Sequence, residues 1–159
     1  MSFLDGYVGT HFRHPDHYVV GREKIREYAT AVKNDDPAFF DEQAAADLGY
    51  DALLAPLTFI SVFGYQAQSA MFAAAGIGIT DAQIVQVDQV LKFVRPIKAG
   101  DELFCDVWID SVRQAHGTDI IVTKNVVSNR NGDVVQESYT TLAGRSEEDG
   151  ESGFSDGTA

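Results

Sequence analysis

Apolar positions recur with a helical period in the first half of this chain and alternate with polar positions in the second half. In residues 21–34, GREKIREYATAVKN, the helical spacing is carried by Ile25, Tyr28, Ala29 and Val32. This pattern predicts an amphipathic helix that ends near Asn34. A short strand is expected just before it, over residues 18–20.

A second helix is predicted from the start and stop signals that follow. Asp36 precedes Pro37, which supplies an N-cap residue and a first helical residue. We expect this helix to run to about Leu48, with Gly49 as its C-terminal stop.

Residues 57–76, LTFISVFGYQAQSAMFAAAG, contain no charged side chain. The length alone would permit a membrane span. Ser, Thr and Gln interrupt the segment, however, and no basic flank sets an orientation. A helix that is apolar or neutral on nearly all sides is buried on nearly all sides. The segment therefore predicts a long central helix wrapped by other elements, and no membrane span.

Four later segments are rich in Val, Ile, Phe, Thr and Tyr, with an alternation of period two. They cover residues 83–97, 102–117, 118–133 and 133–145, separated by the turn signals KAGD, HG and NRNGD. At ~3.3 Å per residue, strands of this length reach ~30 Å and can curl around one helix. The order of helices followed by a meander predicts an α+β fold with an antiparallel sheet.

Composition limits the classes of partner. The chain has 159 residues, 45% of them hydrophobic, which fits one domain over residues 1–145. A net charge of -12 disfavours binding to nucleic acid or anionic lipid. A single Cys105 and no signal peptide favour a reducing cytoplasm. Residues 146–159 carry five acidic side chains and no basic one, which predicts a flexible acidic tail where only Phe154 has a side chain suited to docking.

Three segments, NDDPAFFDEQAA, LLAPLTFI and VLKFVRPIKAGDEL, together resemble the MaoC-like family of R-specific enoyl hydratases and dehydratases. The resemblance implies the hot-dog fold. The family motif is glycine-aspartate-x-asparagine-proline-aliphatic-histidine, ending six residues before a small residue, and Pro37 and Ala45 keep that register here. Over residues 10–145 and the tail, the chain is most similar to A-type subunits of heterodimeric (3R)-hydroxyacyl-ACP dehydratases of mycolic-acid elongation.

Aligned on Pro37, the motif's glycine falls on Lys33, its aspartate on Asn34 and its histidine on Phe39. The resemblance thus implies that this chain has no catalytic residue of its own at these positions. It implies a catalytic B-type partner subunit that carries the aspartate and histidine. In this arrangement the present chain holds the substrate, an acyl-ACP or an acyl-CoA.

A second departure from the family pattern precedes the long helix. Active relatives usually have histidine-glycine there, and this chain has Ala55-Pro56. Dehydration of a 3-hydroxyacyl thioester needs a base, an acid and hydrogen-bond donors for the enolate oxygen. Pro56 has no N–H to donate. Both departures indicate a protomer that does not perform the chemistry itself.

The predicted substrate-binding side chains lie mainly on the long helix, and ordinary core packing is the alternative for each aromatic ring. Polar members are expected to meet a thioester or pantetheine at the mouth of an acyl slot. The candidates are Phe39, Pro56, Thr58, Phe59, Ser61, Phe63, Tyr65 and Gln86. A basic patch for an acidic carrier protein is predicted at Lys92, Arg95 and Lys98, with a solvated strand edge as the alternative.

Other chemistry has weaker support in the sequence. His17 and Asp36 are candidates for a relocated acid–base pair, but helix capping explains Asp36. The segment HFRHPDH contains His11, His14 and His17, yet its spacing lacks a firm metal geometry and a fourth ligand. We predict no metal and no cofactor.

Three functions remain open from the sequence. The preferred one is a substrate-holding, non-catalytic subunit of a heterodimeric dehydratase. A hot-dog thioesterase is disfavoured because residues 57–76 contain no acid. An acyl-thioester-binding homodimer without chemistry differs from the first only in its partner. Sheet edges need covering, so we expect a heterodimer, or a homodimer in isolation.

Overall fold

The helices occupy the first half of the chain in the computed structural model of the protein, which describes residues 2–146 and 152–157. The α-helices are α1, Arg22–Ala31, α2, Glu42–Asp47, and α3, Ser61–Ala75, with 3₁₀ turns at Phe3–Tyr7, Pro37–Phe39 and Asp81–Gln83. As predicted, α1 is amphipathic, since Ile25 and Ala29 are buried while most of its other residues are not. Gly76 caps α3 with a left-handed φ of 73°, which glycine adopts without a Cβ clash.

The strands form one large antiparallel sheet and one small one. They are β1, His11–Arg13, β2, Tyr18–Val19, β3, Ile77–Ile79, β4, Ile84–Phe93, β5, Glu102–Ala115, β6, Thr118–Ser128, β7, Val134–Arg145, and β8, Phe154–Asp156. The large sheet has the order β1-β5-β6-β7-β4, with β2 also paired to β5, and β3 pairs with β8. The four predicted long strands and the antiparallel α+β class are confirmed.

Turn chemistry sets the register of the long meander. His116 and Gly117 connect β5 to β6, and both have positive φ, 51° and 72°. Two left-handed central residues make the type I′ turn that suits a two-residue hairpin. Ala115 and Thr118 are consequently cross-strand partners, and the ladder continues without interruption to Ser111.

One side of α3 packs against the sheet and forms the core with it. Phe63, Ala67 and Met71, at helical spacing, are at most 2% exposed. They belong to the same buried cluster as Leu103 and Val107 of β5. This helix-on-sheet arrangement is the one that the hot-dog resemblance predicts.

The predicted second helix is wrong as a continuous element. Asp36 does cap a helical turn, since its carboxylate accepts a hydrogen bond from the Ala38 amide at 3.0 Å. The turn ends after Phe39. Asp41 then acts as a second N-cap by accepting from the Gln43 amide at 3.0 Å, which starts a separate short helix.

The long helix is shorter and less enclosed than predicted. Residues 57–60 form turns, with the Phe59 amide bonded to the Pro56 carbonyl at 2.9 Å, and α3 begins only at Ser61. Its other side, including Tyr65, which is 65% exposed, faces away from the core. Burial on nearly all sides is therefore wrong for this chain by itself. Among the described residues, no helix is both long and apolar enough to span a bilayer.

The predicted loose tail is wrong for residues 152–157. Strand β8 pairs with β3 in this segment, and Phe154 is 1% exposed. Its ring lies 6.1 Å from that of Phe72, so apolar burial offsets the entropy of ordering the segment. The rest of the predicted tail, 147–151 and 158–159, lies outside the described residues.

Candidate functional site

The turn after α1 contains a left-handed backbone conformation that is usually adopted by glycine. Lys33, where the family motif has glycine, is left-handed with a φ of 57°. Asn34 follows and is exposed, and its side-chain oxygen accepts a hydrogen bond from the Asp36 amide at 3.3 Å. Phe39 is half-buried and packs against the core. The side chains at these two positions therefore carry neither a carboxylate, at Asn34, nor an imidazole, at Phe39.

The segment before α3 is held by backbone hydrogen bonds to the loop between β4 and β5 and to the 3₁₀ turn at Pro37–Phe39. The Ala55 amide donates to the Ile97 carbonyl at 2.8 Å, and Leu54 donates to Ala38 at 3.1 Å. Pro56 is buried and, as proline, has no amide hydrogen. Thr58 is exposed, and its hydroxyl accepts a hydrogen bond from the Tyr28 hydroxyl at 2.9 Å.

A groove runs along the exposed side of α3, between the helix and the inner faces of β4, β6 and β7. It consists of two adjoining cavities of about 390 Å³ and about 320 Å³, which share Tyr65 and Gln68 in their walls. Together their volume is that of a small-molecule site. The groove is the candidate functional site of this chain.

One half of the groove has polar walls. The wall residues from β6 and β7 are polar although they lie on the inner face of the sheet. Thr123 lies across the ladder from Thr140, and Asn125 lies across from Ser138. The Thr123 hydroxyl donates to the Gln68 side-chain oxygen at 2.7 Å. The polar half is lined by Ile60, Ser61, Gly64, Tyr65, Gln68, Gln86, Gln89, Asn125, Ser138 and Thr140.

Asn125 retains unused hydrogen-bonding capacity in this polar half. Its side-chain nitrogen donates a long hydrogen bond of 3.4 Å to the Gly64 carbonyl. Its side-chain oxygen is buried and has no partner among the described residues. An unsatisfied buried oxygen costs free energy, so a ligand that brings an N–H or O–H to it gains a hydrogen bond at little further desolvation.

The other half of the groove is mainly apolar. Leu142 and Ile84 line it from the sheet, Phe72 lines it from α3, and Ile77 and Ile79 line it from β3. The remaining lining residues are Tyr65, Gln68, Ser69, Ala73 and Asp81. A polar half that continues into an apolar half is suited to an amphiphilic ligand with a hydrocarbon chain.

The structure brings together only some of the predicted substrate-binding residues. Ser61, Tyr65 and Gln86 line the polar half. Phe59 and Phe63 do not, since they lie on the core side, where their rings are 6.3 and 5.4 Å from that of Tyr18. Both rings belong to the buried core, the environment that the alternative of core packing describes. Phe39, Pro56 and Thr58 are outside the walls of both cavities.

Of the sheet side of the groove, only Gln86 on β4 was among the predicted residues, and the side chains from β6 and β7 were not. Thr123, Asn125, Ser138 and Thr140 alternate along β6 and β7 at positions that face inward. Polar residues at buried positions of an otherwise apolar alternation were the available signal.

The predicted basic patch is divided into separate ion pairs. Lys92 lies 4.0 Å from Glu137, and Arg95 lies 3.8 Å from Asp133. Lys98 is paired with Asp51, whose hydrogen bond raises the pKa of Lys98 and lowers that of Asp51. Each cation thus has an anion beside it, which reduces the attraction of this surface for an acidic protein.

The three N-terminal histidines have different neighbours. His11 bonds to Asp106 at 2.8 Å and stacks on Trp108, with ring centroids 4.6 Å apart. His14 bonds to the carbonyl of Asp16, and His17 packs near Phe104. Within 2–146 and 152–157, no group of three or more His, Cys, Asp or Glu side chains has a metal-binding arrangement.

Comparison with known proteins gives a family match over most of the chain. The profile of the family described as "FAS1-like, dehydratase domain region" matches residues 6–138. A UPF0336 protein of Mycobacterium tuberculosis is 70% identical over 159 residues, which is 100% of both chains.

Two solved structures extend this likeness to three dimensions. One is the C-terminally truncated HadBC (3R-hydroxyacyl-ACP dehydratase) complex of Mycobacterium tuberculosis, with 49% identity, a TM-score of 0.79, and coverage of 87% of this chain and 97% of that chain. The other is a MaoC-like dehydratase with 39% identity and a TM-score of 0.83, matched over 91% of this chain and 44% of that one. The hot-dog architecture that the sequence predicts is confirmed by these neighbours.

Proposed function

Because this chain belongs to the family of FAS1-like dehydratase domains, we propose that it is the substrate-holding, non-catalytic subunit of a heterodimeric (3R)-hydroxyacyl-ACP dehydratase. The pair would convert 3-hydroxyacyl thioesters to trans-2-enoyl thioesters during fatty acid or mycolic acid elongation. Its catalytic aspartate and histidine would come from a MaoC-like partner subunit. The HadBC structure, a complex described as a 3R-hydroxyacyl-ACP dehydratase, supports this class of assembly.

The observation that carries the proposal is the retained motif turn with Asn34 and Phe39 in it. Dehydration removes a proton from C2 and assists departure of the 3-hydroxyl. An amide does not titrate at neutral pH, and a phenyl ring has no nitrogen. Loss of a positioned acid or base typically costs ~10² to 10⁴ in rate, so the chain by itself would be nearly inert.

We assign the substrate-holding role to the groove. We assign the apolar half, with Phe72, Ile84 and Leu142, to the hydrocarbon chain. The polar half, with Gln86 and Asn125, is assigned to the thioester or pantetheine end. The amide N–H of pantetheine is a donor suited to the Asn125 oxygen, which has no partner among the described residues. Holding the substrate in one register lets the partner's acid and base act on C2 and C3.

We propose that the partner subunit docks along strand β4. It lies at one end of the large sheet, and its outer edge has no strand beside it within the described ranges 2–146 and 152–157. Val85, Val87 and Val90 are between 53% and 61% exposed there. An exposed apolar edge strand is a site for strand pairing with another chain.

A mixing experiment tests the proposed function. The chain is purified alone and together with a MaoC-like subunit that has an intact catalytic aspartate and histidine. Hydration of a trans-2-enoyl thioester is then followed by absorbance. We expect activity from the pair and about 10²-fold less, or none, from this chain alone. A pair whose partner carries a His→Ala substitution controls for activity from this chain, and equal rates with and without the partner would reject the proposal.

A further inference from the structure

The inward-facing positions of β7 form a series that runs the length of the groove. Ser138 and Thr140 lie in its polar half and Leu142 in its apolar half. The next inward position is Gly144, and a Cβ built there would stand 2.6 Å from the ring of Phe154. At ~3.3 Å per residue, the groove is thus about 20 Å long from Ser138 to the point where Phe154 occupies the inner face.

Glycines allow the C-terminal segment, residues 152–157, to approach the domain this closely. A Cβ on Gly153 would lie 2.8 Å from the Cα of Gly144 and 2.9 Å from the Gln83 carbonyl oxygen. A Cβ on Gly157 would clash with the Gly76 carbonyl oxygen. Backbone contacts of this kind require glycine, so the seat is specific for this segment.

Backbone hydrogen bonds hold the C-terminal segment in its seat. The Gly153 amide donates to the Arg145 carbonyl at 2.8 Å, and the Thr80 amide donates to the Gly153 carbonyl at 2.9 Å. The Gly157 amide donates to the Gly76 carbonyl at 2.7 Å. The segment is therefore bonded on both sides of Phe154, which fixes the position of the ring.

Phe154 contacts the walls of the apolar half from behind. Its ring lies 6.1 Å from that of Phe72, and its backbone pairs with that of Ile79. Phe72 and Ile79 both line the cavity. We infer that Phe154 closes the far end of the groove and thereby sets the longest acyl chain that the groove accepts. This inference rests on the proposed function, because it assigns the apolar half to an acyl chain.

The volume at position 154 should accordingly control chain-length preference. Replacing Phe154 by Ala removes the ring that supports Phe72 and Ile79 from behind, so these walls can give way and additional methylenes can enter. Each buried methylene contributes about 0.8 kcal/mol, which is about a fourfold gain in affinity. Replacing Phe154 by Trp adds volume at the same point and should exclude the longest chains.

The test uses the full chain paired with its catalytic partner. kcat/KM for hydration is measured with a series of trans-2-enoyl-CoA thioesters of increasing length, for the unaltered pair, Phe154→Ala, Phe154→Leu and Phe154→Trp. We expect the optimum to move to longer chains with Ala, less far with Leu, and to shorter chains with Trp. The ratio of long-chain to short-chain kcat/KM should change at least tenfold between Ala and Trp. Phe3→Ala, which removes an exposed phenyl ring that lines neither cavity, is the matched control and should leave the profile unchanged.

The outcomes separate this inference from the proposed function. A purely structural role of Phe154 would lower kcat/KM equally at every chain length, and that result would overturn the inference. An unchanged profile in all three variants would overturn it as well. If Phe154→Ala does not fold, as judged by circular dichroism, the opposite shifts of Leu and Trp still decide the matter. No turnover by the unaltered pair would instead reject the proposed function, and this inference with it.

Discussion

Asn34 and Asp36 are linked across the motif turn by a hydrogen bond of 3.3 Å, from the Asp36 amide to the Asn34 side-chain oxygen. Asp36 in turn caps the next helical turn by accepting from Ala38 at 3.0 Å. Both side chains thus support the local backbone, as Asx residues commonly do in turns. Aspartate at position 34 could accept the same hydrogen bond, so this turn tolerates the residue that the family motif has there.

Restoring the family's acid and base should not by itself make this chain an enzyme. We predict that the double variant Asn34→Asp/Phe39→His folds and has little hydratase activity without a partner. The reason is that Pro56 offers no amide hydrogen for the enolate oxygen. The measurement is the rate of hydration of a trans-2-enoyl-CoA by the purified variant, compared with the unaltered chain.

A triple variant provides the control for that prediction. Adding Pro56→Gly to the double variant restores an N–H at the start of the helical segment. Removal of one oxyanion donor typically costs about 10² to 10³ in kcat, so any activity should rise in the triple variant. A double variant that is a competent hydratase alone would contradict our assignment of the missing donor.

We expect Asn125 to lower the free energy of unfolding of the chain and to contribute to substrate binding. Replacing it by Leu removes a buried oxygen with no partner among the described residues, at the cost of one long hydrogen bond to Gly64. We predict that Asn125→Leu leaves the free energy of unfolding unchanged or raises it by about 1 kcal/mol. The KM of the pair for enoyl-CoA should rise by about tenfold, because a ligand loses its acceptor. Urea unfolding and steady-state kinetics measure the two effects.

The matched control for Asn125 is Asn131→Leu, at an exposed turn position outside the groove. It should change neither the KM nor the free energy of unfolding by a measurable amount. If Asn125→Leu destabilised the chain by several kcal/mol with an unchanged KM, the oxygen would have a structural role only, and its assignment to the ligand would be incorrect.

The long strands were predictable because local chemistry determines them. Alternation and turn residues specify β5, β6 and their His116-Gly117 connection without help from the rest of the fold. The break between Phe39 and Glu42 was not predictable in the same way, because Asp36 and Asp41 are both competent caps. The choice between one helix and two depends on how the segment packs.

The groove was only half predictable, for a physical reason. Helical periodicity identifies the residues that share a face of α3, such as Ser61 and Tyr65, but it does not say which face meets the sheet. The aromatic rings of Phe59 and Phe63 suit both a core and an acyl slot, so the sequence does not decide between these two environments. The docking of Phe154 depends on Phe72 and Ile79, which are distant in sequence, so composition alone suggests a loose tail.

Partner association should depend on the exposed edge of β4. Val90 is 53% exposed on this strand, and Val19 is 55% exposed on β2, which is paired with β5 elsewhere in the sheet. We predict that Val90→Lys abolishes co-purification with the catalytic subunit, because a lysine on an edge strand opposes pairing with another chain. Val19→Lys is the matched control and should leave the complex intact in gel filtration. Equal behaviour of the two variants would place the interface elsewhere.

The alkaline stability of the chain should depend on Cys105. This side chain is 0% exposed, and burial, with a smaller contribution from Asp106, raises the pKa of its thiol to about 12. In the unfolded chain the thiol ionises near its ordinary pKa of 9.0, so the unfolded state loses a proton that the folded state keeps. The stabilisation is therefore fully present below pH 9 and is lost as pH rises towards 12.

We predict that the free energy of unfolding falls by about 2 kcal/mol more between pH 8 and pH 10.5 in the unaltered chain than in Cys105→Ala. The comparison of slopes matters, because Cys105→Ala also changes core packing at every pH. Tyr18, whose pKa is raised by burial, titrates in both proteins and cancels from the difference. Urea unfolding at the two pH values measures the effect. If the free energies of unfolding of the two proteins changed in parallel with pH, the thiol would ionise equally well in the folded and unfolded chains. That result would contradict the effect assigned to its burial.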